Sequence, residues 1–281
     1  MRAHIWGCRG SLAAPGPDTV RTGGNTSCVE LRTENGDLII LDAGTGLRAL
    51  GLHLAAEEPR TVHLLLSHLH LDHLEGLGFF GPLWDPKVEF HFWGPPSPVT
   101  TLKERIARYL SPPLFPVHIS DVPSKPIFHD VPGEAFQIGS ASILAAPISH
   151  SGPTVGYRVT ENGKTLAYLP DHEPSRGGDL REMSPGWISG YNIARDADVL
   201  MHDSQYTEAE YPSRVGWGHS SIAHVVAYAQ IAAVKSLLLF HHDPLHDDDM
   251  LDAKLARARE LWGDGNGTTE LAREGMALEL N

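Results

Sequence analysis

The sequence predicts a mixed α/β protein in which short strands end in loops rich in histidine and aspartate, gathered at one rim of a sheet stack. Three observations carry this. Runs rich in β-branched residues and leucine recur along the chain, helical patterns alternate with them in the second half, and the 17 histidines stand just past such runs rather than in one tract.

Taken in order, residues 28–32 and 37–41 read as strands joined by the hairpin turn Glu34-Asn35-Gly36. Residues 61–66 form a buried strand, followed by strands at 88–93, 142–148, 154–160 and 164–169, the last two linked by a turn at Asn162-Gly163. Strands at 198–201 and 236–240 complete the set. Between them Ile222, Val225, Val226 and Ala229 repeat at helical spacing behind Ser220 as the expected N-cap. A later helix opens on Asp247-Asp248-Asp249, which suits the positive end of a helix dipole, and buries Leu251, Leu255, Ala258 and Trp262. The segment 94–132 carries nine prolines and one predicted helix, 100–110; the rest reads as a long ordered loop over one edge, a lid or a plain surface excursion.

Neither a repeat nor a linker divides the 281 residues, so one domain spanning 1–281 is expected. The net charge of −13 argues against a sequence-blind nucleic-acid binder, which needs a basic footprint. Cys8 and Cys28 are too few for a disulfide framework and read as small buried thiols. The opening residues break at Gly7 before a signal-peptide core could form, and the longest apolar runs are strand length, so a cytoplasmic protein with no membrane contact is expected.

The strongest chemical signal is Ser67-His68-Leu69-His70-Leu71-Asp72-His73. Four potential ligands (His68, His70, Asp72 and His73) fall within six residues, immediately past an apolar strand. Imidazole and carboxylate together suit zinc and similar metals, and burying them without a cation would leave unpaired polar groups. His150, Asp171 and His241 each stand one or two residues past another predicted strand, in the same relation as His68. His242 adjoins His241 and is an alternative for the last position; His241 is preferred because it directly ends its strand. Asp42 closes a strand and is expected to orient a ligand loop. His63, His91, His172, His202, His224 and His246 read as structural or solvated.

The order His-x-His-x-Asp-His, then single His, Asp and His, resembles the metallo-β-lactamase superfamily over almost the whole chain. Gly7-Cys8-Arg9-Gly10-Ser11, Gly23-Gly24-Asn25-Thr26-Ser27, Asp42-Ala43-Gly44-Thr45-Gly46 and Gly218-His219-Ser220 resemble its phosphodiesterase branch, that of RNase Z and the cyclic-phosphate phosphodiesterases. The resemblance implies a four-layer αββα sandwich and two divalent metal ions, zinc first, with manganese or iron as alternatives. His68, His70 and His150 would hold one metal, Asp72, His73 and His241 the other, and Asp171 would bridge them. Aspartate at 171, where the familiar zinc β-lactamases resemble a pattern with cysteine, favours phosphoesters or lactones. Asp72, His219 and Asp203 are the candidate catalytic residues, His219 assisting the leaving group and Asp203 orienting it.

The expected activity is hydrolysis of small cyclic or nucleotide phosphodiesters by a metal-bridging hydroxide attacking phosphorus in line. The alternatives are an RNase Z-like RNA endonuclease, disfavoured by acidity and by the few basic residues in 94–132, a lactonase or β-lactamase, and a non-catalytic metal-holding sensor domain. A homodimer is the common assembly for such a protein.

Overall fold

The computed structural model describes residues 1–263 and 267–280. Strands appear at β1 (Arg2–Gly7), β2 (Cys28–Arg32), β3 (Leu38–Leu41), β4 (Thr61–Leu65), β5 (Glu89–Gly94), β6 (Ile127–Asp130) and β7 (Phe136–Ile138). They continue as β8 (Ala141–Pro147), β9 (Val155–Glu161), β10 (Lys164–Leu169), β11 (Val199–Asp203), β12 (Ser236–Phe240), β13 (Thr268–Leu271) and β14 (Ala277–Glu279). The helices are α1 (Gly46–Leu54), α2 (Leu102–Ala107), α3 (Tyr191–Ala194), α4 (Ile222–Ile231) and α5 (Asp248–Trp262).

Among the described residues the strands form two seven-stranded sheets, ordered β14-β1-β2-β3-β4-β5-β6 and β13-β12-β11-β10-β9-β8-β7. Each sheet changes character at one strand. Pairing is antiparallel from β14 to β3 and parallel from β3 to β6 in the first. It is antiparallel from β7 to β10 and parallel from β10 to β13 in the second.

Alternation of side chains across the strands builds three apolar layers. In β10, Leu166 and Tyr168 point between the sheets, joining Ile5, Leu31, Leu41, Tyr157 and Phe240. Ala167 and Leu169 point outward against Val225 and Ala229 of α4 and Leu251, Leu255 and Ala258 of α5. On the other sheet Leu47, Leu50 and Leu54 of α1 cover Ile40, Leu64 and Phe92. The result is a four-layer αββα sandwich, with central strands buried on both faces. No helix among the described residues is long and apolar enough to cross a membrane.

Several elements differ from the sequence expectation. The helix expected at 100–110 spans only Leu102–Ala107, where Thr101 and Glu104 form a capping box. Part of the proline-rich segment is not loop: Ile127–Asp130 extends the parallel sheet beside β5. Ser221 rather than Ser220 caps α4, its side chain accepting from the His224 amide. Ser220 instead donates to the His172 carbonyl at 2.6 Å. Helix α1 was not expected, because Gly46 and Gly51 weaken its local signal. Gly51 is needed where the Phe80 ring packs, 3.0 Å from where a Cβ would lie. Both cysteines are free and buried, and burial raises both thiol pKa values, so they are unreactive as expected.

Burial has a consequence for acid stability. It pushes the fully buried His202 imidazole down to about 4, against a weaker opposing pull from Asp203. Between that value and the ordinary 6.5, the unfolded chain binds a proton that the folded chain does not. Stability therefore rises with pH across this window and is lost as pH falls from 6.5 toward 4, by up to about 3 kcal/mol from this group. Urea unfolding at stepped pH should show this loss, and His202→Gln should make it shallower, with the other burial-depressed histidines such as His172 and His242 still contributing.

Candidate metal centre

The parallel strands all end at one rim, and the residues just past them turn inward there. The turn after β4 brings His68 and His70, then a short 3-10 turn carries Asp72 and His73. The loop after β8 brings His150, β10 leads to Asp171, and β12 leads to His241. Potential ligand atoms of His68, His70 and His150 lie within 4.8 Å of one another, as do those of Asp72, His73, Asp171 and His241. The seven side chains singled out from sequence thus lie in two adjoining sets. His242 takes no part: its ring turns away to the Ala272 carbonyl at 3.0 Å.

Asp171 lies between the sets. Its Oδ1 is 3.8 Å from His68 Nε2 and 3.7 Å from His150 Nε2, and 3.2 Å from His241 Nε2. Its Oδ2 is 3.0 Å from His73 Nε2. Asp72 Oδ2 is 3.2 Å from both His73 Nε2 and His241 Nε2 and accepts from the Ser11 amide at 2.7 Å.

Four of the rings are held from behind. His73 Nδ1 meets Asp42 Oδ2 at 2.8 Å, and His68 Nδ1 meets Ser67 Oγ at 3.0 Å. His150 Nδ1 meets the Gly218 carbonyl at 2.9 Å, and His241 Nδ1 meets Gln205 Oε1 at 3.1 Å. In each, Nε2 is left facing the Asp171 carboxylate, the arrangement by which outer partners orient metal-binding imidazoles. His68 Nε2, His73 Nε2 and Asp171 Oδ2 are buried with no hydrogen-bond partner. Such atoms are costly in an interior unless a cation takes up their lone pairs. The donor set is nitrogen and oxygen only, which fits divalent zinc, manganese or iron.

The electrostatics agree. Burial opposes ionisation of Asp171, yet the His241, His73 and His68 rings hold its carboxyl well below the usual range. Burial opposes protonation of His73, yet Asp72, Asp171 and Asp42 raise its pKa well above the usual value. Burial lowers the pKa of His68, and the neighbouring His73 adds to the effect. The carboxylates therefore draw positive charge into the site, raising the pKa of His73 and of the neighbouring His219.

His219 stands beside this group, its ring stacked 5.1 Å from that of His241. Its Nδ1 meets Asp203 Oδ2 at 2.6 Å, the pairing anticipated from sequence. Burial opposes its protonation, but Asp203 dominates the outcome and raises its pKa to about 9. Asp203 belongs to β11 itself rather than following it, and its Oδ1 also accepts from the Gln205 and Ser220 amides.

Three residues support the centre in ways the sequence does not announce, Ser67 among them although it opens the motif. Gln205 holds His241, and Ser67 donates its hydroxyl to Asp42 at 2.8 Å. Glu173, almost fully buried, accepts the amides of Gly216 and Gly218 and the Tyr211 hydroxyl, fixing the loop that delivers His219. Its one sequence signal is a carboxylate two residues beyond Asp171. Gly218 has φ +89°, and a Cβ there would run into the His150 ring; one at Gly10 would run into His241.

A family model described as the beta-lactamase superfamily domain matches residues 38–242. The chain belongs to the metallo-β-lactamase superfamily. It is 30% identical over 255 residues to the uncharacterized protein ML1173 of Mycobacterium leprae, spanning 87% of this chain and 78% of that one. Ribonuclease Z of Myxococcus xanthus is 24% identical over 285 residues, 87% of this chain and 89% of the relative. Among solved structures, the metallo-beta-lactamase fold protein YhfI from Bacillus subtilis superposes with a TM-score of 0.71 at 19% identity, covering 99% of both chains. A diphosphatase of the PhnP family superposes with a TM-score of 0.70 at 17% identity, covering 100% of this chain and 98% of that one. The chain is accordingly a hydrolase of this superfamily, and its histidine and aspartate clusters fit metal binding.

Replacing Glu173 by Leu should strand buried amides at about 1–3 kcal/mol each. Chemical denaturation should register that loss. Gly218→Ala should displace His150 and weaken metal retention in a chelator titration.

Proposed function

We propose that this hydrolase is a dinuclear metal-dependent phosphodiesterase acting on small cyclic or nucleotide phosphodiesters. The observation that carries the reading is the position of the Asp171 carboxylate between two imidazole-bearing sets, with the His219–Asp203 pair alongside. In this reading His68, His70 and His150 would hold one cation and Asp72, His73 and His241 the other, and Asp171 would serve both. Two divalent cations so held, zinc being the first choice, supply hydroxide at neutral pH and offset charge on phosphate oxygens.

The remaining roles belong to the chain. Asp42, Ser67, Gln205 and the Gly218 carbonyl keep the ring Nδ1 atoms engaged, so that each Nε2 presents a lone pair. Asp203 engages Nδ1 of His219 and thereby assigns proton transfer to its Nε2. The Asp203 carboxylate favours the protonated form of that imidazole, which can donate to a departing alkoxide or to a phosphate oxygen. Relatives named ribonuclease Z and diphosphatase act, by those names, on phosphate linkages, which supports phosphorus as the reacting centre. RNA is the second candidate substrate, favoured by the ribonuclease Z relatives and opposed by the net charge of −13.

Purified protein should contain about two equivalents of transition metal and cleave a chromogenic phosphodiester but not a β-lactam. Asp171→Ala should abolish hydrolysis and lower metal content; full activity with normal metal would refute the ligand set. His219→Ala should lower kcat by about 10²–10⁴ with metal content unchanged. Metal loss in that variant would make His219 a ligand instead. Metal analysis and steady-state kinetics on the same preparations decide both.

A further inference from the structure

A cavity of about 300 Å³ continues from the His68 and His70 edge of the centre, under the proline-rich segment. Leu69, Leu71, Leu74 and Leu114 make its apolar lining, and Arg105 and Arg108 reach it from α2 and the residue that follows. No carboxylate lines it among the described residues, although the chain carries a net charge of −13. Leu71 and Leu114 are 57% and 70% exposed, so an apolar shelf lies open beside the ligand loop.

The two arginines are poorly compensated. Arg105 is partly buried, its side chain 11% exposed, and its Nε and Nη1 are buried without a hydrogen-bond partner. Its Nη2 donates to the Pro95 carbonyl at 2.5 Å, and the nearest carboxylate oxygen, of the half-exposed Asp130, is 3.9 Å away. Burial lowers the Arg105 pKa, Asp130 opposes this in part, and the like charge of Arg108 adds to it. A buried guanidinium with unmade hydrogen bonds, beside a second one, is unfavourable unless an anion joins them, and arginine's planar fork matches phosphate oxygens.

We propose that Arg105 and Arg108 form a second anion subsite, so that the preferred substrate is a phosphodiester carrying a further phosphate, its apolar middle resting on the leucine shelf. This rests on the phosphodiesterase reading and sharpens it. The scissile phosphate lies at the His68/His70 end of the cavity and the second phosphate at the arginine end. The acidic chain then selects a doubly anionic ligand through one local reversal of charge.

The test compares the 5′-(p-nitrophenyl) ester of thymidine monophosphate with the same ester bearing a 3′-phosphate, using metal-replete protein. We expect kcat/KM at least ten-fold higher for the 3′-phosphorylated ester, expressed in KM. Arg108→Ala should reduce that ratio below three, and Arg108→Glu should invert it. Arg108 is exposed, so both variants should fold; Arg105→Lys serves as a milder change at the buried position. Equal kcat/KM for the two esters in wild type, or a ratio that survives Arg108→Glu, would overturn the subsite while leaving the phosphodiesterase reading intact. If neither ester is cleaved, that reading fails, and calorimetry still reads the subsite by itself. Adenosine 3′,5′-bisphosphate should bind at least ten-fold tighter than the 5′-monophosphate, with the difference lost in Arg108→Ala; equal affinities would overturn it.

Discussion

The rest of the centre depends on one buried carboxylate, that of Asp42. It is fully buried at the end of β3, and its two oxygens meet four groups: the Ser67 amide at 2.7 Å, the Ser67 hydroxyl at 2.8 Å, His73 Nδ1 at 2.8 Å and the Tyr168 hydroxyl at 2.9 Å. Ser67 begins the ligand loop, His73 ends it, and Tyr168 belongs to the opposite sheet. One side chain thus sets both ends of the loop and ties it across the interior to β10. A buried charge is tolerated when its lone pairs are this fully engaged, and the arrangement then becomes rigid.

The loop carrying His219 is held by comparable means from the second sheet. Glu173 gathers the amides of Gly216 and Gly218, while Asp203 takes the Ser220 amide and the His219 ring. Both buried carboxylates lie many residues before His219 in the sequence and reach its loop only through the fold. The Gly218 carbonyl at the same time holds His150, so the position of one ring constrains the other.

Much of this was legible in the sequence because it is local. A His or Asp one or two residues past a strand end needs only the strand to be placed, and the strands at 164–169 and 236–240 were placed with the bounds observed. The αββα architecture followed from a motif pattern rather than from periodicity. His241 and His242 are adjacent, and only the fold separates them: the His241 ring meets Asp72 while that of His242 meets the Ala272 carbonyl. Gln205 left no usable trace and Glu173 only its place two residues beyond Asp171, because their roles depend on chain segments 36 and 43–45 positions away. Helix α1 and the short edge strands β13 and β14 escaped because packing, not propensity, stabilises them.

The two sheets repeat one plan, antiparallel strands first and parallel strands after, with the change at β3 in one and β10 in the other. Asp42 and Asp171 follow those two equivalent strands. The same topological corner is therefore occupied twice by the same acid, once as a brace behind the rings and once as a donor before them. Exchanging the duties would require no change of residue type, only of which way each corner faces: in this scaffold, direction rather than identity separates support from chemistry.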